Sequence, residues 1–198
     1  MSNVPPPRRP SPLELAFVNS LERYHKNGER AALAALRRGF GKPPWEAPEM
    51  FPYVVPYLPR EGTSQQEEAF FVTGAGFAQH PSLGVSENRP RVRLNLGASL
   101  REVIRSKEDV APIERRFVAL LSAEREDLAE HLWRVVTFLE SKEVEIDWRQ
   151  FLPDLTCPSW GDVRREWASA FWIYSENNLA REREADTEEV KEPPDLGD

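Results

Sequence analysis

The side chains most often used in catalysis are few and scattered along this sequence. Its three histidines are His25, His80 and His131, and none shares a helical turn with another histidine or with the single cysteine, Cys157. A metal site needs three or four converging ligands. Cys157 lies between Thr156 and Pro158 without a catalytic signature, so packing is its expected role. We therefore predict no metal site, no cofactor and no catalytic residue.

Two glycines, Gly74 and Gly76, could in principle cradle a phosphate. A phosphate-binding loop of that kind requires the pattern GxxxxGK[ST] after a strand. Here the glycines lie in a helical pattern with Phe70 and Phe77, so we predict instead that they let a neighbouring helix approach closely. The HExxH and GxSxG motifs are absent from the chain, as is an acidic pair in an apolar setting.

Basic residues form the pattern with the most chemical content. The planar guanidinium of arginine donates two hydrogen bonds to a phosphate at once. The residues that could bind a nucleic-acid backbone are Arg37, Arg38, Lys42, Arg101, Arg105, Arg115, Arg116 and Arg134. Arg101 and Arg105 lie four residues apart and so share a helix face. The alternative interpretation is a solvated surface on which these arginines pair with acids such as Glu102 and Glu114.

The tryptophans could stack on bases, but most have apolar neighbours in predicted helices. Core packing is therefore expected for Trp133, Trp160, Trp167 and Trp172. Trp45 lies in a proline-rich loop close to Lys42 and is the most open case. We favour packing there as well.

Composition predicts a globular protein of the cytoplasm. The chain has 198 residues, of which 40% are hydrophobic and 30% charged, and one cysteine excludes an internal disulfide. The sequence contains no run of about 18 apolar residues, so we predict no membrane span. The N-terminal MSNVPPPRRPSP lacks the apolar stretch of a signal peptide. The net charge is −7, but residues 176–198 hold nine acids against three bases, which leaves a nearly neutral body. Such a body can still carry a basic face.

The elements that must position the basic residues are helices. Apolar residues recur at helical spacing in most segments, for example Leu128, Leu132, Val135 and Leu139. The predicted helices are a first one that starts at Pro12 and ends before Gly28, followed by 29–38, 64–79, 96–105, 112–121, 128–139, 147–155 and 159–179. A capping box is expected at Ser64 with Glu67. Ser122 is expected to cap the helix that follows it, without the matching Glu of a capping box. Only residues 89–96, where Arg89, Arg91 and Arg93 alternate with apolar residues, suggest an extended segment. We predict an all-α fold.

Many short stretches, in this order and spacing, resemble the CasB-type small subunit of the type I-E CRISPR Cascade surveillance complex. The similarity covers roughly residues 13–175. It is carried by GERAALAALRRG (28–39), Pro44-Trp45, EAFFVTGAGFAQHP (68–81), GASL (97–100), ERRFVALL (114–121), residues 128–139, IDWRQFLPDL (146–155) and residues 160–174. Arg37, Arg38, Arg115 and Arg116 match recurrent basic positions of the family. Arg101, Arg105 and Arg134 are added on charge and spacing alone.

The resemblance implies two small helical bundles packed in tandem. We expect a disordered lead-in over 1–11, bundles over 12–108 and 109–179, and an acidic disordered tail over 180–198. It implies a protein without catalytic activity that is present as two copies in the complex. The implied partners are the large subunit, the backbone subunits, the guide RNA, and the target and displaced DNA strands.

Two competing functions stay open at this point. The first is a helical adaptor that binds only proteins, in which the arginines are salt-bridged surface. The second is a nuclease, which would require clustered carboxylates for a metal ion, and no such cluster is apparent in the sequence.

Overall fold

A computed structural model describes residues 8–82 and 95–172, and every regular element within these ranges is helical. The helices are α1 (Pro12–Lys26), α2 (Arg30–Arg37), α3 (Phe51–Val54), α4 (Ser64–Gln79), α5 (Leu96–Glu102), α6 (Lys107–Ser122), α7 (Leu128–Ser141), α8 (Trp148–Thr156) and α9 (160–172). Short 3-10 turns at Pro44–Glu46, Pro48–Met50 and Val55–Tyr57 connect α2 to α4. The all-α prediction is confirmed. None of the described helices is long and apolar enough to cross a membrane.

Local capping explains where several helices begin. At α1 the Ser11 hydroxyl accepts from the Glu14 N–H, and the Glu14 carboxylate accepts from the Ser11 N–H. The predicted cap of α4 at Ser64 and Glu67 is wrong by one residue, because the reciprocal bonds join Thr63 and Gln66.

The predicted boundaries around α6 also need correction. This helix begins at Lys107, five residues before the predicted start at Pro112, because Asp109 accepts from the Ser106 N–H and stabilises an earlier first turn. Pro112 lies inside the helix. Ser122 is the last residue of α6 and does not cap α7, which follows Asp127.

Helix α4 lies at the centre of the fold and contacts α1, α2, α7 and α8. Its two glycines bring the neighbours close. An added Cβ at Gly74 would lie 3.2 Å from the Phe17 ring of α1, and one at Gly76 would lie 2.9 Å from the Trp148 ring of α8. The prediction that these glycines serve close helix packing is confirmed.

The buried apolar side chains of α1, α2, α4, α6, α7, α8 and α9 form one hydrophobic cluster. Helix α8, from the predicted second bundle, lies directly against α1 and α4 of the predicted first bundle. Arg8, in the predicted lead-in, donates to the Pro153 carbonyl of α8 at 2.9 Å. The division into bundles 12–108 and 109–179 stays a prediction. The tail 180–198 and the alternating arginines at 89, 91 and 93 lie outside the described residues.

One buried carboxyl joins α8 to α9. Asp154 is 3% exposed, and its two oxygens accept from the Trp167 indole N–H at 2.7 Å and from the Gln150 amide at 2.6 Å. Burial raises the pKa of the Asp154 carboxyl to about 7, although both hydrogen bonds act in the opposite direction.

The crossing of α5 over α9 leaves no room for a side chain at Gly97, where an added Cβ would lie 2.0 Å from the Trp167 carbonyl oxygen. We expect Gly97→Ala to lower the free energy of unfolding by about 1–3 kcal/mol, since backbone cannot yield as a side chain can. Gly161→Ala is the matched control, because an added Cβ there meets nothing within 4 Å. It should leave stability unchanged or raise it by up to about 1 kcal/mol. Urea unfolding measures both, and equal effects would contradict the close crossing.

The Asp154 carboxyl should make stability depend on pH. Its pKa is higher in the folded chain than in the unfolded chain, so the folded state binds more protons between pH 3.8 and about 7. The wild-type free energy of unfolding should therefore fall, relative to that of Asp154→Asn, as pH rises through this window, and the difference should be constant above it. Urea unfolding of both proteins at several pH values measures this difference. Parallel curves would show that Asp154 titrates normally.

Candidate nucleic-acid interface

A basic groove lies between α6 and α7. The core-facing residues of the two helices include Phe117 of α6 and Leu132 of α7, so the opposite edges of both helices reach the surface. These edges line a groove of about 390 Å³. Its lining residues are Pro112, Arg115, Arg116, Ala119, His131, Arg134 and Val135. Three of the eight predicted site residues thus lie together here, and we call this feature the basic groove.

A second cleft of about 540 Å³ adjoins the basic groove, and Pro112 and Arg116 line both. The second cleft adds Arg105 and Lys142, with Phe138 in its lining. The Arg116 guanidinium carbon lies 4.7 Å from the centre of the Phe138 ring, and the Lys142 ammonium lies 5.9 Å from it. The ring attracts both cations to one position on the surface. We call the groove and the cleft together the basic face.

The acids near the basic face leave most of its cations free. Glu114 accepts from the Trp172 indole at 3.0 Å, and neither Arg115 nor Arg116 forms an ion pair with a residue that the structure describes. Arg134 pairs with Glu130 one turn earlier on α7. An exposed pair of this kind contributes only about 0.3–0.5 kcal/mol, so a phosphate can replace it. Among the described residues, Arg134 is thus salt-bridged at this face, whereas Arg115 and Arg116 are not.

Asp109 is an acid in the lining of the second cleft, and it has a structural task. Its carboxylate accepts from the Ser106 hydroxyl and from the backbone N–H groups of Ser106 and Arg105. These bonds, that of the Ser106 hydroxyl first, lower the pKa of the Asp109 carboxyl. The Asp109 carboxylate therefore stabilises the first turn of α6. Glu143 is the other acid of the lining, against three cations there.

The remaining predicted site residues do not line the basic face. Arg37 donates through Nε and Nη2 to the Ala78 carbonyl at the end of α4, at 3.0 and 2.7 Å. Arg38 and Lys42 are exposed and have no ion pair within the described chain. Arg101 is half-buried, and its Nε is buried without a hydrogen-bond partner among the residues that the structure describes.

Sequence reasoning missed two residues of the basic face, His131 and Lys142. A signal for both exists in the spacing. His131, Arg134, Phe138 and Lys142 follow at intervals of three, four and four, which places them on one stripe of α7 and its end. Reading charge together with helical phase would have found them.

The tryptophan predictions have mixed outcomes. Trp167 is fully buried, and Trp133, Trp160 and Trp172 pack against the core, so packing is confirmed for these four. For Trp45 the prediction is wrong, because its side chain is 75% exposed. The sequence signal for packing was the apolar character of the residue, which does not determine exposure in a loop.

The described residues contain no group of three His, Cys, Asp or Glu side chains that could hold a metal ion. The residues that the structure describes therefore define an all-helical protein with a basic face on α6 and α7. The chain belongs to the CRISPR-associated protein Cse2 family, whose family model matches residues 32–172. The matched segment contains α6, α7 and the whole basic groove.

Individual proteins that are similar to this chain support its membership of the Cse2 family. The chain is 32% identical over 141 residues to a CRISPR-associated protein Cse2 of Thermus thermophilus, covering 70% of this chain and 76% of that one. It resembles the crystal structure of CasB from the same species at 30% identity with a TM-score of 0.65, covering 82% and 98% of the two chains. A chain of a CRISPR RNA-guided surveillance complex matches at 30% identity with a TM-score of 0.67, covering 86% and 97%.

Arg37 donates two hydrogen bonds to the Ala78 carbonyl, whereas its neighbour Arg38 is exposed, so the two arginines should differ in their contribution to stability. We expect Arg37→Ala to lower the free energy of unfolding by about 1–2 kcal/mol, because the variant cannot form the two charged hydrogen bonds to the helix end. Arg38→Ala, its exposed neighbour, should stay within about 0.5 kcal/mol of wild type. Urea unfolding of the two variants gives the comparison. Equal stability of both would show that the Arg37 contact contributes nothing.

Proposed function

We propose that this chain is a non-catalytic small subunit of a type I-E CRISPR RNA-guided surveillance complex that binds nucleic-acid backbone without reading sequence. The observation that carries the proposal is the basic groove between α6 and α7, in which Arg115, Arg116 and Arg134 converge. Family membership and the similarity to a chain of such a complex support the setting.

The chemistry of the groove suits phosphate more than base edges. Arg115 and Arg116 are exposed on consecutive positions of α6, and Arg134 faces them from α7. Guanidinium groups on two helices can contact successive phosphates of one strand. Such contacts add affinity without sequence information, which suits a complex whose specificity comes from base pairing.

The same contacts have a place in the formation of an R-loop. Exchange of a DNA duplex for an RNA–DNA duplex is nearly balanced in free energy, so contacts to strand backbones can shift the balance. In this proposal the basic face stabilises the guide–target duplex or the displaced DNA strand. Two copies of the chain, bound with the large subunit and the backbone subunits in the cytoplasm, would extend the surface along the strands.

Affinity in isolation should be modest, because the whole chain carries a net charge of −7. Long-range repulsion by this charge opposes the local attraction of the basic face. In a complex, the other subunits would hold the strand close to this face, which raises its effective concentration. The basic face then needs only a few phosphate contacts per copy.

A salt series on the purified full chain tests the proposal. We expect Arg115→Ala/Arg116→Ala/Arg134→Ala to bind single- and double-stranded DNA and RNA more weakly than wild type. The slope of log affinity against log salt should become flatter by about 0.7–0.9 for each phosphate that the variant no longer binds, or about 2–2.7 for three phosphates. Fluorescence anisotropy with labelled oligonucleotides measures both the affinity and the slope.

The matched control removes the same charge from outside the basic face. Arg30→Ala/Arg60→Ala/Arg165→Ala changes three exposed arginines that do not line either cleft. It should retain most of the wild-type salt slope. If the groove variant binds like wild type while circular dichroism shows intact helices, the basic groove is not the binding surface. If wild type and both variants bind no oligonucleotide, the chain is instead a protein adaptor without nucleic-acid contact.

A further inference from the structure

A rigid loop after α2 holds a tryptophan out in solvent. Trp45 is 75% exposed, the most exposed large hydrophobic side chain within the described ranges. An aromatic side chain in this position lacks the hydrophobic stabilisation that burial would give it. A binding partner that covers the ring would recover that stabilisation.

The backbone around Trp45 is fixed by short-range bonds and by its anchors in the core. Glu46 N–H donates to the Pro43 carbonyl at 3.0 Å and Ala47 N–H to the Pro44 carbonyl at 3.2 Å, which closes a 3-10 turn around the tryptophan. Ala47 and Met50, which follow, are buried. Two prolines and these anchors leave little backbone freedom to lose, so binding at Trp45 costs little ordering entropy.

Two cations precede Trp45 in the sequence. Arg38 and Lys42 precede it by seven and three residues, are exposed, and form no ion pair among the described residues. The acids Glu46 and Glu49 follow it on the other side. The loop therefore presents positive charge before the aromatic ring and negative charge after it. Arg38 and Lys42 would attract a polyanion to the segment that precedes Trp45.

The loop is attached to the helix that carries the basic groove. Phe40, between Arg38 and Lys42, packs against Trp133 of α7 with ring centres 6.1 Å apart. Trp133 immediately precedes Arg134 of the groove. The segment between Arg38 and Lys42 thus packs against α7, the helix that carries Arg134 of the groove.

We propose that this loop is a binding site for single-stranded nucleic acid, in which Trp45 stacks on an unpaired base while Arg38 and Lys42 contact the adjoining phosphates. The inference rests on the proposed function and narrows it to strands with unpaired bases. Stacking of a base on an exposed aromatic ring is tolerant of sequence and needs the base to be out of a duplex. A duplex offers no free base face, so the site discriminates between single and double strands.

The test compares Trp45→Ala with Trp45→Phe on single-stranded DNA and on blunt-ended two-strand duplex DNA of equal length. Trp45→Ala removes the ring on which one base stacks. It should therefore weaken single-strand binding by roughly 5- to 150-fold and leave duplex binding unchanged. Trp45→Phe keeps an aromatic face and should bind within a few-fold of wild type. Because the Trp45 side chain is mostly solvated, neither variant should unfold at a lower urea concentration than wild type.

Two further readouts keep the test decisive. Single-stranded DNA should quench tryptophan fluorescence more in wild type than in Trp45→Phe, since the difference is the signal of Trp45. Lys42→Glu, which leaves the ring in place, should weaken single-strand binding selectively. Equal quenching in both proteins, or equal single-strand affinity of wild type and Trp45→Ala, would overturn the inference.

The outcomes for the loop and for the basic groove can be told apart. If Trp45→Ala binds every oligonucleotide like wild type while the triple variant of the groove does not, the proposed function stands and the loop site is wrong. If the groove variant also has no effect, the proposed function fails as well. If Trp45→Ala alters only co-purification with the other subunits, the exposed ring contacts protein and the inference is overturned.

Discussion

Burial of α4 is the constraint on which the rest of the structure depends. Ten consecutive residues, 69–78, are buried, so this helix must be covered on all sides. Gly74 and Gly76 permit α1 and α8 to come within contact distance, and α2 and α7 complete the cover. Since α7 gives its inner face to α4, its outer edge stays free to form the basic groove with α6.

A buried helix also ends in carbonyl groups that need donors, and this chain supplies them largely with arginine. Arg37 donates to Ala78 at the end of α4, Arg125 to Leu155 at the end of α8, and Arg164 to Ala123 after α6. The Arg125 and Arg164 guanidinium carbons also lie 5.3 and 5.5 Å from the centre of the Trp160 ring. Burial lowers the pKa of Arg125 and raises that of Glu68 beside it, yet the two groups attract each other. Many arginines of this sequence therefore serve packing.

This double use of arginine explains which parts of the molecule could be predicted. Helices and core follow from apolar spacing: α4 has the predicted bounds, and α1 begins at the predicted residue, Pro12. The observed N-caps of α4 and α6 are Thr63 and Ser106, whereas the predicted starts are Ser64 and Pro112. The capping bonds depend on local backbone geometry, which apolar spacing does not encode. Among the basic residues, sequence could not separate Arg37, which caps a helix, from Arg115, which faces solvent. Only the packing of α2 against α4 decides between them.

The placement of charge supports the proposal that a chain of net negative charge binds nucleic acid at the basic groove. Electrostatic attraction between exposed charges is screened over about 8 Å at physiological salt, so a bound strand responds mainly to the nearest groups. At the basic groove these are Arg115, Arg116 and Arg134. Each phosphate contact is weak alone, and contacts in a preformed groove add up along a strand. In the proposed role, such a surface would favour a strand that other subunits already hold and would discriminate poorly among sequences.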